Sequence, residues 1–212
     1  MKAPAPQSSA GISDVPAPIP IRQRQRQQTR DVILEVALSE IAEFGLSGIR
    51  IEHIARKSGV TRPTVYAHYP KREDFLRELQ ARTESSALVA LEKRLEANSG
   101  AEFIHALADA LFDAVSSTNT TLRRESFALM LREPQTERWV GNDLFIYLSS
   151  RLGEAQQADE ISGRTTPDEL TRILMTAIFG FIAIEGHEES ARRADAHSML
   201  DLLIGSKGST QA

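Results

Sequence analysis

The 212-residue chain has no cysteine. That excludes disulfides, iron–sulfur clusters and thiolate zinc sites, and it suits a cytoplasmic protein. It also has no apolar run near the ~18 residues of a membrane helix. The richest stretch, 173–184, is about a dozen residues long. Residues 1–20 are Pro, Ala and Ser with scattered Ile and Val, so no secretory signal core is expected. Catalytic signatures are missing too: there is no G-x-S-x-G, no phosphate-binding glycine loop and no H-E-x-x-H. The histidines stand apart at 53, 68, 105, 187 and 197, and His187-Glu188-Glu189 lacks a second His at ligand spacing. No enzyme, cofactor or metal is therefore expected. Strand-like alternation is absent, which leaves an all-α chain.

Net charge is −4, which by itself argues against a polyanionic partner. The distribution reverses that reading. Residues 20–72 hold ten basic and five acidic side chains, a balance of +5. Residues 1–19 cancel, so 73–212 carries −9. A basic front on an acidic back can approach a polyanion with one end only.

Three regions are expected. Residues 1–28 read as a disordered arm: Pro4, Pro6, Pro16, Pro18 and Pro20 crowd it, and it cannot bury enough apolar surface to offset its ordering entropy. Residues 29–75 read as a three-helix unit. Thr29 is the expected N-cap of its first helix, Ile33, Val36, Ala37, Ile41 and Phe44 recur at helical spacing, and Gly45 is the stop. Residues 76–212 read as six more helices. One runs from Phe75 to a stop at Asn98-Ser99-Gly100, one spans about 136–157, and the last covers about 195–204. The clearest start is Thr166-Pro167-Asp168-Glu169, with Thr166 as cap, Pro167 in the first helical position and Glu169 closing a capping box.

Residues 51–69 meet the requirements of a helix-turn-helix. Ala55 is small where two helices must approach, and Gly59 four residues on can take the left-handed conformation of a tight turn. Ile54, Val60 and Val65 are apolar where the helices pack, and Thr61 can cap the second helix, whose first turn tolerates Pro63. The outward face is then Arg62, Thr64, Tyr66 and His68, with Pro63 at the tip. Arg can bond guanine edges twice and Pro can touch a thymine methyl, while hydroxyls and His can hold phosphates. An ordinary surface hairpin would show the same Ala-x-x-x-Gly spacing. The flanking cations and aromatics favour the DNA reader.

Residues 29–75 resemble the N-terminal domain of TetR-family regulators. The resemblance lies in Thr29-Arg30-Asp31-x-Ile33-Leu34, Phe44-Gly45, Ile54-Ala55, Ser58-Gly59-Val60-Thr61, Thr64-Val65-Tyr66, His68-Tyr69-Pro70 and Arg72-Glu73. It implies a repressor that binds a palindromic operator as a homodimer and is released by a small-molecule effector. By position it implies DNA contacts from Thr61, Arg62, Pro63, Thr64, Tyr66, His68 and Tyr69, with Arg72 on a phosphate at a helix start. Three departures stand out. Ile49-Arg50 replaces the usual Thr-Ser, His53 replaces an acid, and Lys71 replaces a neutral cap. Arg50 and Lys71 weaken helix starts but favour a polyanion. Arg22, Arg24 and Arg26 read either as a DNA arm or as a solvated tail.

The back of the chain carries no diagnostic motif. In the stretch after Pro167, one stripe is Leu170, Ile173, Leu174, Ala177, Ile178, Phe181 and Ile182, and apolar residues continue round the other side. A helix apolar nearly all round is buried all round. Leu174, Ile178, Phe181 and Ile182 are thus expected at a dimer interface, as the resemblance also implies, although a central core helix fits as well. Phe103, His105, Phe112, Phe127, Met130, Trp139, Phe145 and Tyr147 either line a ligand cavity or fill a core. A helical DNA-binding or protein-interaction module with no ligand remains the alternative.

Overall fold

The computed structural model describes residues 20–94, 100–116, 118–132, 142–183 and 188–204. Among them are nine α-helices and no strand. In chain order these are α1 (Ile21–Gly48), α2 (Ile51–Lys57), α3 (Arg62–His68), α4 (Glu73–Arg94), α5 (Gly100–Ser116), α6 (Thr120–Arg132), α7 (Asp143–Gln157), α8 (Pro167–Ala183) and α9 (Glu189–Ile204). None is long and apolar enough to cross a membrane.

Two apolar cores organise these helices. The front core takes Ile33, Leu34, Ala37 and Ile41 from α1, Ile51, Ile54 and Ala55 from α2, Val65 from α3, and Phe75 and Leu76 from α4. It also takes Leu122 and Leu129 from α6. The front unit therefore recruits side chains from well beyond residue 75. The rear core is built by α4, α5, α7, α8 and α9 around Leu91, Ile104, Leu111, Leu148, Met175, Ile178 and Leu200.

Several helix starts differ from expectation. Helix α1 begins at Ile21, not Thr29, so 21–28 is not a disordered arm. The Arg/Gln run is made of good helix formers. Thr29 lies inside the helix, its hydroxyl donating back to the Gln25 carbonyl at 3.0 Å, which removes it as a cap. The remainder of the expected arm, 1–19, lies outside the described residues. Gly45 does interrupt α1, with φ 70° and ψ 166°, and one further turn leads to Gly48. Gly100 is the first residue of α5, and Asn98 and Ser99 of the expected stop lie outside the described residues. Helix α7 starts at Asp143, where the Asn142 side chain accepts from the Phe145 amide at 2.9 Å; positions 136–141 of the expected span lie outside the described residues. Helix α9 starts at Glu189, six residues ahead of the expected Asp195, with the Glu188 carbonyl accepting from Ala191 and Arg192. The Thr166–Glu169 capping box forms in both directions, each at 3.3 Å. Hydrogen bonds from Thr165 and Thr166 hold the Glu169 carboxyl below its ordinary value.

Candidate nucleic-acid interface

Helices α2 and α3 meet through a tight turn. Ser58 ends α2, and Gly59 takes φ 66°. The Val60 amide then bonds back to the Ala55 carbonyl at 3.0 Å. A side chain at Gly59 would have open space but a strained backbone. Thr61 caps α3 as expected: its Oγ1 accepts from the Thr64 amide and lies 2.8 Å from the Thr64 hydroxyl. Val65 is fully buried beneath. This leaves Arg62, Pro63 and Tyr66 exposed, Tyr66 at 44%, with Thr64 and His68 half-buried beside them.

The neighbouring cations sit on element edges. Arg50 is the N-cap of α2 and makes no side-chain cap bond, so the cap expected to be missing is missing. Lys71 and Arg72 are exposed before α4. The α4 start is capped from inside instead, the Asp74 carboxylate accepting from the Lys71 amide at 2.7 Å. Arg72 donates to the Ser47 carbonyl at 3.2 Å, which ties the α4 start to the end of α1. Arg22, Arg24 and Arg26 are exposed on the first two turns of α1. Helical spacing puts Arg22 and Arg26 on one side and Arg24 on the other. Burial lowers the basicity of His68, and Arg26 and Arg30 lower it further. His68 is therefore a weaker base than an ordinary histidine.

Tyr69 does not belong to this surface. It is 1% exposed and packed against Phe75, the ring centroids 4.7 Å apart and the planes tilted by 40°. Its hydroxyl donates to the Arg30 carbonyl at 3.3 Å, and burial pushes the phenol up to about 12. A DNA contact from Tyr69 is thereby overturned: α3 ends at His68, and the chain turns the next side chain into the core.

The residues that position α3 escaped the sequence reading. Arg30 donates to the His68 carbonyl at 2.8 Å and to Glu78 at 2.6 Å, with its guanidinium 4.4 Å from the Tyr69 ring centre. Arg82 extends the network to Glu78 and Asp31. Lys57 bonds the buried Glu40 carboxylate at 2.6 Å and so pins α2 to α1. Arg62 pairs with Glu52 at 3.0 Å in an exposed contact of small worth. Arg30, Lys57 and Arg62 are thus already matched by carboxylates. No spacing rule couples Arg30 to His68 and Glu78, 38 and 48 positions away, or Lys57 to Glu40, 17 positions away, which is why these pairings were not legible.

Away from this surface, α4, α5, α6 and α8 enclose a cleft of about 490 Å³, counting its solvent mouth. Of the expected pocket residues that are described, Phe127 and Met130 line it. Phe103 and Phe112 are fully packed core, and Phe145 packs against that core. His105 and Tyr147 are half-buried outside the lining, and Trp139 lies outside the described residues. Ten other described residues line it, among them Gln80, Thr83, Leu111, Ser126 and Phe179.

The expected dimer residues fare similarly. Leu174, Ile178 and Ile182 are buried in their own chain's core and have no surface to offer a partner. The stripe splits because α8 lies against α5, α6, α7 and α9 at once. Phe181 stays half-buried. Ile173, at 47%, and Gly180 point outward.

A capped seven-residue helix with an exposed polar and aromatic face, edged by cations and braced from behind, is a helix-turn-helix reader of DNA. Residues 33–79 match the family model for bacterial regulatory proteins of the tetR family. The HTH-type transcriptional regulator UidR of Escherichia coli K12 is 23% identical over 182 residues, covering 84% of this chain and 91% of UidR. The HTH-type transcriptional regulator AcrR of Shigella flexneri is 32% identical over 97 residues, 46% of this chain and 45% of AcrR. The structure of RolR with its ligand resorcinol superposes at a TM-score of 0.61, with 18% identity over 84% of this chain and 90% of RolR. The protein is a DNA-binding regulator of transcription. Its residues 33–79 are similar to the DNA-binding domain of the tetR family.

Proposed function

We propose that this regulator is a repressor that binds a palindromic operator as a homodimer and leaves it when a small molecule fills the cleft. The two faces of α6 carry the reading. Arg123, Ser126, Phe127 and Met130 line the cleft. On the other side, Leu122 and Leu129 sit in the front core, and Glu125 Oε1 accepts from the Leu46 amide at 3.0 Å, just past the Gly45 break. A ligand that displaces α6 therefore acts on α1, against which α2 and α4 pack. Release requires that the ligand favour the displaced arrangement; about tenfold weaker operator binding corresponds to ~1.4 kcal/mol of such preference. RolR, of the same fold, holds resorcinol, a small single-ring molecule.

At the operator, Arg62 reads a guanine edge and Pro63 meets a thymine methyl. Thr64, Tyr66 and His68 bond bases and phosphates, while Arg50, Lys71 and Arg72 hold the backbone. Arg22 and Arg26 extend this row as a helical stem, and Thr61 acts through its cap. The dimer forms through the outer faces of α8 and α9, where Ile173, Phe181 and Leu202 are apolar and Gly180 allows close approach; Leu202 is 83% exposed. Two reading helices then address half-sites about one helical turn, ~34 Å, apart, or a multiple of it.

Selection of bound fragments from random DNA tests this. A palindromic consensus held by a dimer supports it. Unselective recovery of all sequences, or a monomer by sedimentation at working concentration, refutes it.

A further inference from the structure

The cleft has an apolar floor and a polar lip. Leu111, Val115, Phe127, Met130 and Phe179 belong to the floor. The lip is Gln80, Thr83, Glu84, Thr118, Arg123 and Ser126. Three of these are already committed. The Gln80 amide donates to the Ser126 carbonyl at 3.0 Å, and the Thr83 hydroxyl to the Leu79 carbonyl at 2.9 Å. The Glu84 carboxylate accepts from Asn142 Nδ2 at 2.6 Å.

The groups left over are all able to donate. Arg123 makes no ion pair among the described residues although it borders an apolar cavity. Its guanidinium offers N–H groups and no acceptor. The Ser126 hydroxyl is buried and has no partner, a costly arrangement that calls for an absent acceptor. The Thr118 hydroxyl can donate as well. Arg123 also sits in the first turn of α6, where the helix dipole adds positive potential.

We infer that the cleft binds a compact organic anion, a carboxylate on a small apolar or aromatic body. Arg123 and Ser126 are three residues apart on one face of α6, so one carboxylate reaches both. The body lies against Phe127 and Phe179, whose rings meet edge to face at 6.3 Å. Glu84 sets the orientation: it repels the ligand's charge from the α4 lip and leaves the α6 lip as its seat. The inference deepens the effector reading and rests on it for its consequence at DNA, because the carboxylate is held by the reverse of the α6 face that seats in the front core.

Calorimetric titration of the full chain with benzoate and octanoate, each against its neutral amide, and with benzylamine tests the assignment. At least one acid should bind about tenfold more tightly than its amide, and benzylamine should not bind. Arg123→Gln should bring the acid down to the level of the amide. Ser126→Ala should weaken the acid severalfold, with the fold of both variants checked by their melting curves. An amide as tight as its acid, preference for benzylamine, an acid preference that survives Arg123→Gln, or silence of both acids at millimolar concentration would each overturn it. Operator release is scored separately. An acid that binds but leaves the operator complex intact sinks the effector reading and keeps the ligand class. Release by another compound while both acids stay silent does the reverse.

Discussion

Replacing Arg30 by Met tests whether the reading helix is braced from behind. The substitution keeps the aliphatic stem and removes the guanidinium. Three contacts are lost: the bond to the His68 carbonyl at 2.8 Å, the pair with Glu78 at 2.6 Å, and the stacking over Tyr69 at 4.4 Å. Hydrogen bonds to charged groups contribute about 1.5–3 kcal/mol each when buried. The Arg30 side chain is 31% exposed, so solvent screening favours the low end. With about 0.5–1 kcal/mol for the cation–π contact, and without assuming additivity, the loss should total about 2–3 kcal/mol. At about 2–4 °C per kcal/mol for a chain of this size, melting should fall by roughly 5–10 °C.

The pH dependence has a defined sign. Burial alone would raise the Glu78 carboxyl, but hydrogen bonds from Arg30 and Arg82 hold it below its ordinary value. A depressed carboxyl stabilises the fold fully above its unfolded value, about 4.3, and the contribution is lost as pH falls through the lower folded value. The gap in melting temperature between wild type and Arg30→Met should therefore be full at neutral pH and shrink below about pH 4. Specific operator affinity should drop, because the α3 end loses its support, while the slope of affinity against salt stays unchanged. A slope reduced by about 0.9 would mean that Arg30 neutralises a phosphate, and an unchanged melting temperature would mean that it braces nothing.

Lys71→Ala and Arg72→Ala should each weaken binding on all sequences and lower the salt slope by about 0.9; equal slopes would remove them from the phosphate contacts. Tyr66→Ala should abolish specific binding, whereas Tyr69→Phe should cost only about 0.5–1.5 kcal/mol of stability and leave sequence preference intact, as fragment selection on both variants will show. Gly45→Ala should destabilise by about 1–3 kcal/mol in chemical denaturation, since it forces a side chain into φ 70° with its Cβ 2.9 Å from the Glu125 carboxylate. A stable variant would show that the α1 break relaxes. Ile173→Glu should shift sedimentation toward monomer, and an unshifted dimer would move the interface off the outer face of α8.

The sequence by itself determined the reader and the fold class. Ala55, Gly59, Thr61 and Val65 act within one short hairpin, so residue type and spacing suffice to specify it. The capping box at Thr166–Glu169 and the α1 break at Gly45 are local in the same sense. Even the missing cap at Arg50 was visible there. Only the tertiary structure decided which side of each helix meets its neighbours. Tyr69 carries a hydroxyl and follows the reading face, yet the turn after His68 sends it inward. Leu174, Ile178 and Ile182 look like a free seam in a helical wheel, yet their own chain covers them. Arg30 counts toward a basic front, yet Glu78, 48 positions later, takes its charge. Helix α6 shows the limit most plainly: its pattern reports two half-apolar faces, but only packing assigns Leu122 and Leu129 to the front core and Ser126 and Phe127 to the cleft. Periodicity fixes which residues share a face. Which partner that face meets depends on contacts between distant segments, and no local pattern encodes them.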